Sequence, residues 1–396
     1  MRVSLARRYE DPAAQTAAAA VPLCDPRGPK VVLGAESGAD GLAAPIVPSR
    51  ASLFGPRGAV VDPVTGALAV ADTGHHRLLI WRDTPRVDRQ PADVLIGQRD
   101  FSGEGRNGKR PVAASSLNVP TGIATDGRAL AVADAWNHRV LIWHRWPERD
   151  NQPADVVLGQ AASDGCLANR GGPPGAATLN WCYGVAFLPG GLAVADTGNR
   201  RVLLWHGLPE HDGQPADIVL GQQDFACRDE NGGVEPGAGG MRWPHAVAGD
   251  GKRLFVADAG DNRIMIWNTS SPVSGAPCDA VLGQKSFAEV EHNRGRYWPE
   301  ARALNMPYGI AVSAGRLVVA DTANSRLLGW RMDEASMDAP AFGLAGQPDF
   351  SAKGDNRWQA PARDSLCWPY GVTAAGGTLA IADSGNNRVL IWDLAS

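Results

Sequence analysis

Short apolar runs separated by polar turns recur along this chain with a fixed period. The clearest pattern reads Leu-Ala-Val-Ala-Asp, then four variable residues, then Arg-Val-Leu-Ile-Trp. It occurs six times with small variations. Its last residue is a tryptophan at intervals of 62 or 63 residues: Trp81, Trp143, Trp205, Trp267, Trp330 and Trp392. Such a period predicts an array of similar units, each of which buries its apolar faces against its neighbours.

Each unit contains four short segments with the composition of β-strands. Around Trp143 these apolar runs occupy residues 120–124, 130–133, 140–143 and 156–158. Turn residues separate them, and none has the length or the period of a helix. We therefore predict an all-β fold, a six-bladed β-propeller with four antiparallel strands in each blade. The strands of a blade are named a to d, from the axis outward.

The two ends of the chain are expected to share one blade. The last repeat ends with its strand c at Trp392, so its strand d is missing. An isolated copy of that strand, Val31–Gly34, precedes the first strand a at residues 58–61. Pairing these segments would close the ring and remove an exposed sheet edge. We predict a single propeller over residues 30–396 after an N-terminal extension over residues 1–29.

The repeats resemble the NHL repeat of six-bladed β-propellers. The resemblance is carried by Pro-x-Gly-Ile-Ala in strand a and by Leu-x-Val-Ala-Asp-x-x-Asn-x-Arg-Val across strands b and c, with the best turn copies at residues 134–139 and 383–388. Val-Leu-Gly-Gln-x-Asp-Phe, as at residues 219–225, is similar to a tag of bacterial members. The resemblance covers nearly the whole chain and implies the fold, whereas this scaffold carries many activities.

Because neighbouring strands of a blade run in opposite directions, the loops that connect them lie alternately on two faces of the ring. The d-to-a connections, the b-to-c turns and the start of each strand a are expected on one face, here named the top face. The d-to-a connections run about twenty residues, and loops of that length are usually functional or disordered. An Asn recurs in register within them, and we interpret it as a turn former. These residues are Asn107, Asn169, Asn231, Asn293 and Asn356.

The position before the strand-a glycine differs most between repeats. It is expected to surround the mouth of the axial channel, and its residues are Arg57, Thr121, Tyr183, His245, Tyr308 and Tyr370. Variation on a constant framework is expected of a binding site, and bulky side chains that merely plug the channel would give the same pattern. Trp243 is a further binding candidate, because exposed aromatic residues favour recognition surfaces. A wedge between blades is its other interpretation.

Two more residue sets could carry chemistry. An Asp and an Arg lie five residues apart in all six repeats, as Asp134 and Arg139 do, and a sixfold recurrence favours a structural role.

The cysteines break the repeat. Three of them and a histidine are expected on the top face of repeats three and four: Cys166, Cys182, Cys227 and His245. This set suits a thiophilic metal ion such as zinc, copper or iron. The cysteines could instead be isolated thiols, or Cys166 and Cys227 could form a disulfide. A cytoplasmic location argues against the disulfide.

Charge and composition narrow the function classes. The net charge is −4, and acidic residues are mixed with the basic residues of the top face, which argues against nucleic-acid binding. No apolar run approaches the ~20 residues of a membrane span, so we expect a cytoplasmic protein. Arg greatly outnumbers Lys and Ala is abundant, which suggests a bacterial source, and we expect a monomer. Lactonase-like propellers hold calcium with mouth carboxylates, and amidating-lyase-like NHL members hold zinc with several histidines. This mouth offers only His245.

These observations favour a non-catalytic binding or scaffold module that presents its top face to a protein partner or a small ligand. The alternative is a metal-dependent propeller enzyme or metal-handling protein built on the Cys/His set. Whether the chain is an enzyme, and which partner or substrate it takes, stays open.

Overall fold

A computed structural model describes residues 20–34 and 46–396. In this part of the chain, apolar runs bounded by turn residues form twenty-five strands. Two strands precede the repeats: β1 (Val21–Pro22) and β2 (Val31–Gly34). The first three blades contain β3 (Gly58–Val61), β4 (Leu68–Asp72), β5 (Arg77–Trp81) and β6 (Val94–Ile96); β7 (Pro120–Thr125), β8 (Leu130–Asp134), β9 (Arg139–Trp143) and β10 (Val156–Leu158); β11 (Cys182–Leu188), β12 (Gly191–Asp196), β13 (Arg201–His206) and β14 (Ile218–Leu220). The last three contain β15 (Pro244–Gly249), β16 (Leu254–Asp258), β17 (Arg263–Trp267) and β18 (Ala280–Leu282); β19 (Pro307–Ser313), β20 (Arg316–Asp321), β21 (Arg326–Arg331) and β22 (Gly343–Ala345); β23 (Pro369–Ala375), β24 (Thr378–Asp383) and β25 (Arg388–Asp393).

The sixth blade is completed by the N-terminal strand, as predicted. Strand β2 pairs antiparallel with β25, with Val31 opposite Ile391 and Leu33 opposite Val389. The resulting ring contains six sheets of four antiparallel strands, which confirms the predicted fold. Strand β1 adds a feature that the repeat pattern did not predict: it pairs parallel with β22 and extends the fifth blade to five strands.

The core lies between neighbouring blades. Six apolar clusters each combine the facing sides of two sheets, as where Leu130 and Trp143 of the second blade pack with Val60 and Ile80 of the first. The six repeat tryptophans are all buried. Each indole N–H donates to a backbone carbonyl, that of Trp143 to Gln152 at 3.0 Å. These tryptophans therefore pack between blades.

Short 3₁₀ turns build the top face. Those between strands b and c are Thr73–His75, Ala135–Asn137, Thr197–Asn199, Ala259–Asp261, Thr322–Asn324 and Ser384–Asn386. Those in the d-to-a connections are Arg106–Lys109, Ala168–Gly171, Glu230–Gly233, His292–Gly295 and Asp355–Trp358. The asparagine of each d-to-a turn has φ between +48° and +53°. Asparagine tolerates this left-handed region better than most residues, which confirms these residues as turn formers.

Candidate functional site: the channel mouth

The buried Asp and Arg of each repeat fix the loops of the top face. In the second blade, Asp134 accepts hydrogen bonds from the backbone N–H of Asn118 at 2.6 Å and from Arg139 Nε at 2.8 Å. The other guanidinium nitrogens donate to the carbonyls of Ser163 and Ser116, in the connections that follow and precede the blade. Both charged side chains are fully buried. The pair therefore joins two loops to one sheet, and its structural interpretation is confirmed.

A second set of hydrogen bonds positions the residue two places before each mouth residue. The residue that directly follows each b-to-c turn is left-handed. Its side chain accepts a hydrogen bond from the next blade, as His138 Nδ1 does from the backbone N–H of Trp181 at 3.0 Å. The corresponding pairs are His76 with Val119, Asn262 with Met306, Ser325 with Trp368 and Asn387 with Gly55. The residues they hold have φ between +47° and +56°. Such a conformation is unfavourable for Val or Trp and persists where the surroundings enforce it.

The fourth blade lacks this bond. In the third blade, the position equivalent to His138 is occupied by Arg200, whose side chain has no hydrogen-bond acceptor. The backbone N–H of Trp243 instead donates to Asp258 at 3.1 Å. The chain that leads to His245 therefore follows a different path from the other five. The sequence feature that indicates this different path is Arg200, because the other repeats have His, Asn or Ser at the equivalent position.

The structure brings the six predicted mouth residues together at one end of the axial channel. The ring of His245 lies between those of Tyr183 and Tyr308, with centroid separations of 4.9 and 4.2 Å. Tyr370 continues the stack, 4.4 Å from Tyr308. The guanidinium of Arg57 covers the outer face of Tyr370 at 4.5 Å. Five of the six side chains thus form one continuous arc.

The sixth mouth residue, Thr121, separates the two ends of this arc. It is buried, and its hydroxyl donates to the backbone carbonyl of Tyr183 at 2.9 Å. The strand-a glycines bring the inner strands this close together. A Cβ on Gly184 would lie 2.3 Å from the carbonyl oxygen of His245. Only glycine allows such an approach.

The pKa shifts of three mouth residues, His245, Tyr308 and Tyr370, favour their uncharged forms at pH 7. Burial lowers the pKa of His245 to about 4, and the nearby charge of Arg57 acts in the same direction. Its Nδ1 donates to the carbonyl of Trp243 at 3.0 Å, which leaves Nε2 as an acceptor. Burial also raises the pKa of Tyr308 and Tyr370. The arrangement suits binding by stacking, hydrogen bonding and one positive charge, since none of these groups has a pKa suited to proton transfer near neutral pH.

Exposed tryptophans surround this arc. Trp181, Trp243 and Trp368 are 50%, 44% and 40% exposed, and each lies two residues before a mouth residue. The sequence pointed to Trp243 alone as a binding candidate. The common register identifies the other two, which the alternative of a wedge between blades had obscured. The mouth and the channel below it enclose about 220 Å³, and the channel lining combines small apolar residues such as Gly122, Ala186 and Val312 with Thr125, Phe187 and Thr373.

The structure does not gather the predicted Cys/His set. Cys182 lies in the core between the second and third blades, where its thiol donates to the carbonyl of Arg139 at 3.2 Å and burial raises its pKa. Its predicted placement on the top face is therefore wrong. Cys166 and Cys227 are partly exposed and unpaired, and the ring of His245 belongs to the arc. Over the described ranges, no three His, Cys, Asp or Glu side chains are placed to hold a metal ion. No helix within these ranges has the length and apolarity needed to cross a membrane.

Comparisons with known proteins agree with the repeat assignment. No family model matches the chain. Human NHL repeat-containing protein 2 is 35% identical over 98 residues, which are 24% of this chain and 12% of that protein. Its bovine counterpart is 36% identical over 84 residues, or 20% and 10% of the two chains. The matches thus span about a tenth of those relatives.

Among solved structures, a Bacteroides thetaiotaomicron protein of unknown function has a TM-score of 0.54 at 11% identity. The match covers 92% of this chain and 76% of that one, and it supports the fold alone. The chain is therefore a six-bladed β-propeller, and part of its repeat array is similar in sequence to NHL repeat-containing protein 2.

Proposed function

We propose that this propeller is a non-catalytic binding module that holds a protein partner or a small ligand over the channel mouth. The observation that carries the proposal is the arc of stacked rings at the mouth with three exposed tryptophans beside it. Aromatic side chains provide much of the contact energy in binding sites, because they bury a large area and lose little conformational entropy.

The mouth is also preorganised. The hydrogen bond that the backbone N–H of Trp181 donates to His138 holds the backbone of Trp181, and the 6.5 Å separation of their nearly parallel rings adds a second contact. Trp368 is held in the same way by Ser325. Side chains that are fixed before binding lose less entropy on complex formation. This favours recognition on the top face over a purely structural role for these tryptophans.

The test compares the two faces of the ring. In one variant, Trp181, Trp243 and Trp368 are replaced by Ala; in another, Tyr308 and Tyr370 are. The control replaces Val64 and Val273, which are 76% and 72% exposed and lie in the a-to-b turn and c-to-d connection of the opposite face. Each protein is immobilised and challenged with extract from the source cells, and captured proteins and metabolites are identified by mass spectrometry.

We expect both top-face variants to lose a ligand that the wild type and the control retain. Affinities measured with that ligand should fall by about tenfold or more for the tryptophan variant, since central aromatic residues each contribute about 2 kcal/mol or more. Equal capture by the wild type and the top-face variants, with their folds verified by circular dichroism, would refute the proposal.

A further inference from the structure

Arg57 is the one charged residue of the mouth, and its charge is not balanced. No carboxylate in the described part of the chain lies within ion-pair distance of it. Its guanidinium is half-buried, and the ring of Tyr370 is the partner that the structure gives it. Arg139, by contrast, is bonded to a carboxylate and three carbonyls. A partly desolvated guanidinium with free N–H donors favours an anion.

The groups around Arg57 make an anion more favourable still. His245, which the rings of Tyr308 and Tyr370 separate from Arg57 along the arc, is uncharged, so it does not compete as a second cation. Tyr308 and Tyr370 keep their hydroxyl protons at neutral pH. The Tyr308 hydroxyl donates to that of Tyr370, which leaves the Tyr370 proton for an incoming oxygen. The six mouth residues include no Lys and no second Arg. One cation matches one negative charge, which favours a carboxylate over a doubly charged phosphate.

The channel lining and the exposed tryptophans indicate which kind of chemical group carries the carboxylate of the ligand. Small apolar residues line the channel beneath the arc, and exposed indoles lie beside it. We propose that the mouth binds a carboxylate joined to an apolar body, with the carboxylate paired to Arg57. The planar fork of Arg matches both carboxylate oxygens. The proposal rests on the proposed binding function and specifies its ligand chemistry.

This chemistry has two sources, a small organic acid and the C-terminal carboxylate of a polypeptide. The experiment uses four probes in two matched pairs: phenylacetate with phenylacetamide, and the peptide Gly-Gly-Phe as the free acid and as the amide. Their binding to wild-type protein is measured at pH 7 by chemical-shift changes of the indole N–H groups. The pair that binds more tightly identifies the source that the site prefers.

We expect each acid to bind at least about tenfold more tightly than its amide, because a hydrogen bond to a charged group contributes more than one between neutral groups. Arg57→Met should abolish this preference, and Arg57→Lys should keep part of it. Arg106→Met is the matched control, since Arg106 also lies over a top-face ring, that of Trp136 at 5.0 Å, but outside the mouth. It should bind like the wild type.

Equal binding of acid and amide by the wild-type protein, or no saturable binding of either acid, overturns the proposal. A preference that survives in a folded Arg57→Met variant overturns it as well. The comparison of acid with amide needs no substitution, so misfolding of a variant cannot hide the answer. Failure here leaves the face-specific capture test untouched, and the two proposals can therefore fail separately.

Discussion

Asn231 and Asp261 face each other in the fourth blade, and each keeps a buried side-chain oxygen without a hydrogen-bond partner. The equivalent Asn169 and Asn199 of the third blade exchange two hydrogen bonds, at 3.0 and 2.8 Å. An ionised Asp261 has no proton to donate to Asn231 Oδ1. In the fourth blade, the reciprocal pair of hydrogen bonds between Asn231 and Asp261 can therefore form only when the Asp261 carboxyl is protonated.

Asp261→Asn should stabilise the propeller at and above neutral pH. Burial and the charge of Asp258 raise the pKa of Asp261 to about 7, although Arg263 and Arg242 act in the opposite direction. An unfolded Asp titrates near 3.9, so between pH 4 and 7 the folded state holds a proton that the unfolded state has lost. Wild-type stability should fall as pH rises through this window. At pH 8 the variant should gain about 1–3 kcal/mol, measured by urea unfolding.

The reverse substitution is the control. Asn199→Asp places a carboxyl at the same position of a regular blade, where Asn169 and Asp196 surround it. It should create the pH-dependent loss of stability that Asp261→Asn removes. Parallel pH profiles for the wild type and Asp261→Asn would show that Asp261 does not titrate in this range.

Gly184→Ala should destabilise the ring and disturb the mouth. The added Cβ would meet the carbonyl oxygen of His245, so the third and fourth blades must separate. Overpacking of this kind costs roughly 1–3 kcal/mol. The fourth blade already has Ala246 at the equivalent position, and Ala246→Gly should change stability by less than about 1 kcal/mol. Urea unfolding gives both values, and near-ultraviolet circular dichroism reports the stack of Tyr183 on His245. Equal effects of the two substitutions would contradict the steric argument.

The sequence predicted the ring, its closure and the mouth positions, because these follow from strand count and from a constant register. It did not predict β1, since Val21–Pro22 has no counterpart in the repeats and its position depends on an edge that forms only in the folded blade. The wrong placement of Cys182 has a similar cause. It lies directly before Tyr183, but adjacent residues of a strand point to opposite sides, and only the three-dimensional packing shows which side is core.

Removal of strand β2 should be far more destabilising than removal of the segment before it. Val31, Val32 and Leu33 are at most 3% exposed, and burial of such side chains contributes about 1.5–3 kcal/mol each. Deleting residues 1–34 should therefore remove most of the ~5–15 kcal/mol expected for a folded domain. Deleting residues 1–19 leaves β1 and β2 in place and is the control. If thermal unfolding shows the same midpoint for both truncations, strand β2 does not close the ring.

Arg139→Met should lower the free energy of unfolding and leave the ligand affinity of the folded protein unchanged. Removal of one partner leaves the buried carboxylate of Asp134 unpaired, at a cost of about 3–5 kcal/mol. The exposed pair of Arg331 and Glu334 offers a matched comparison, and Glu334→Ala should cost less than about 1 kcal/mol. Urea unfolding measures both effects, and probe titration of the folded protein measures affinity. A stable Arg139→Met protein that no longer binds would place the recurring Asp–Arg pairs in the binding site and contradict their role as structural links.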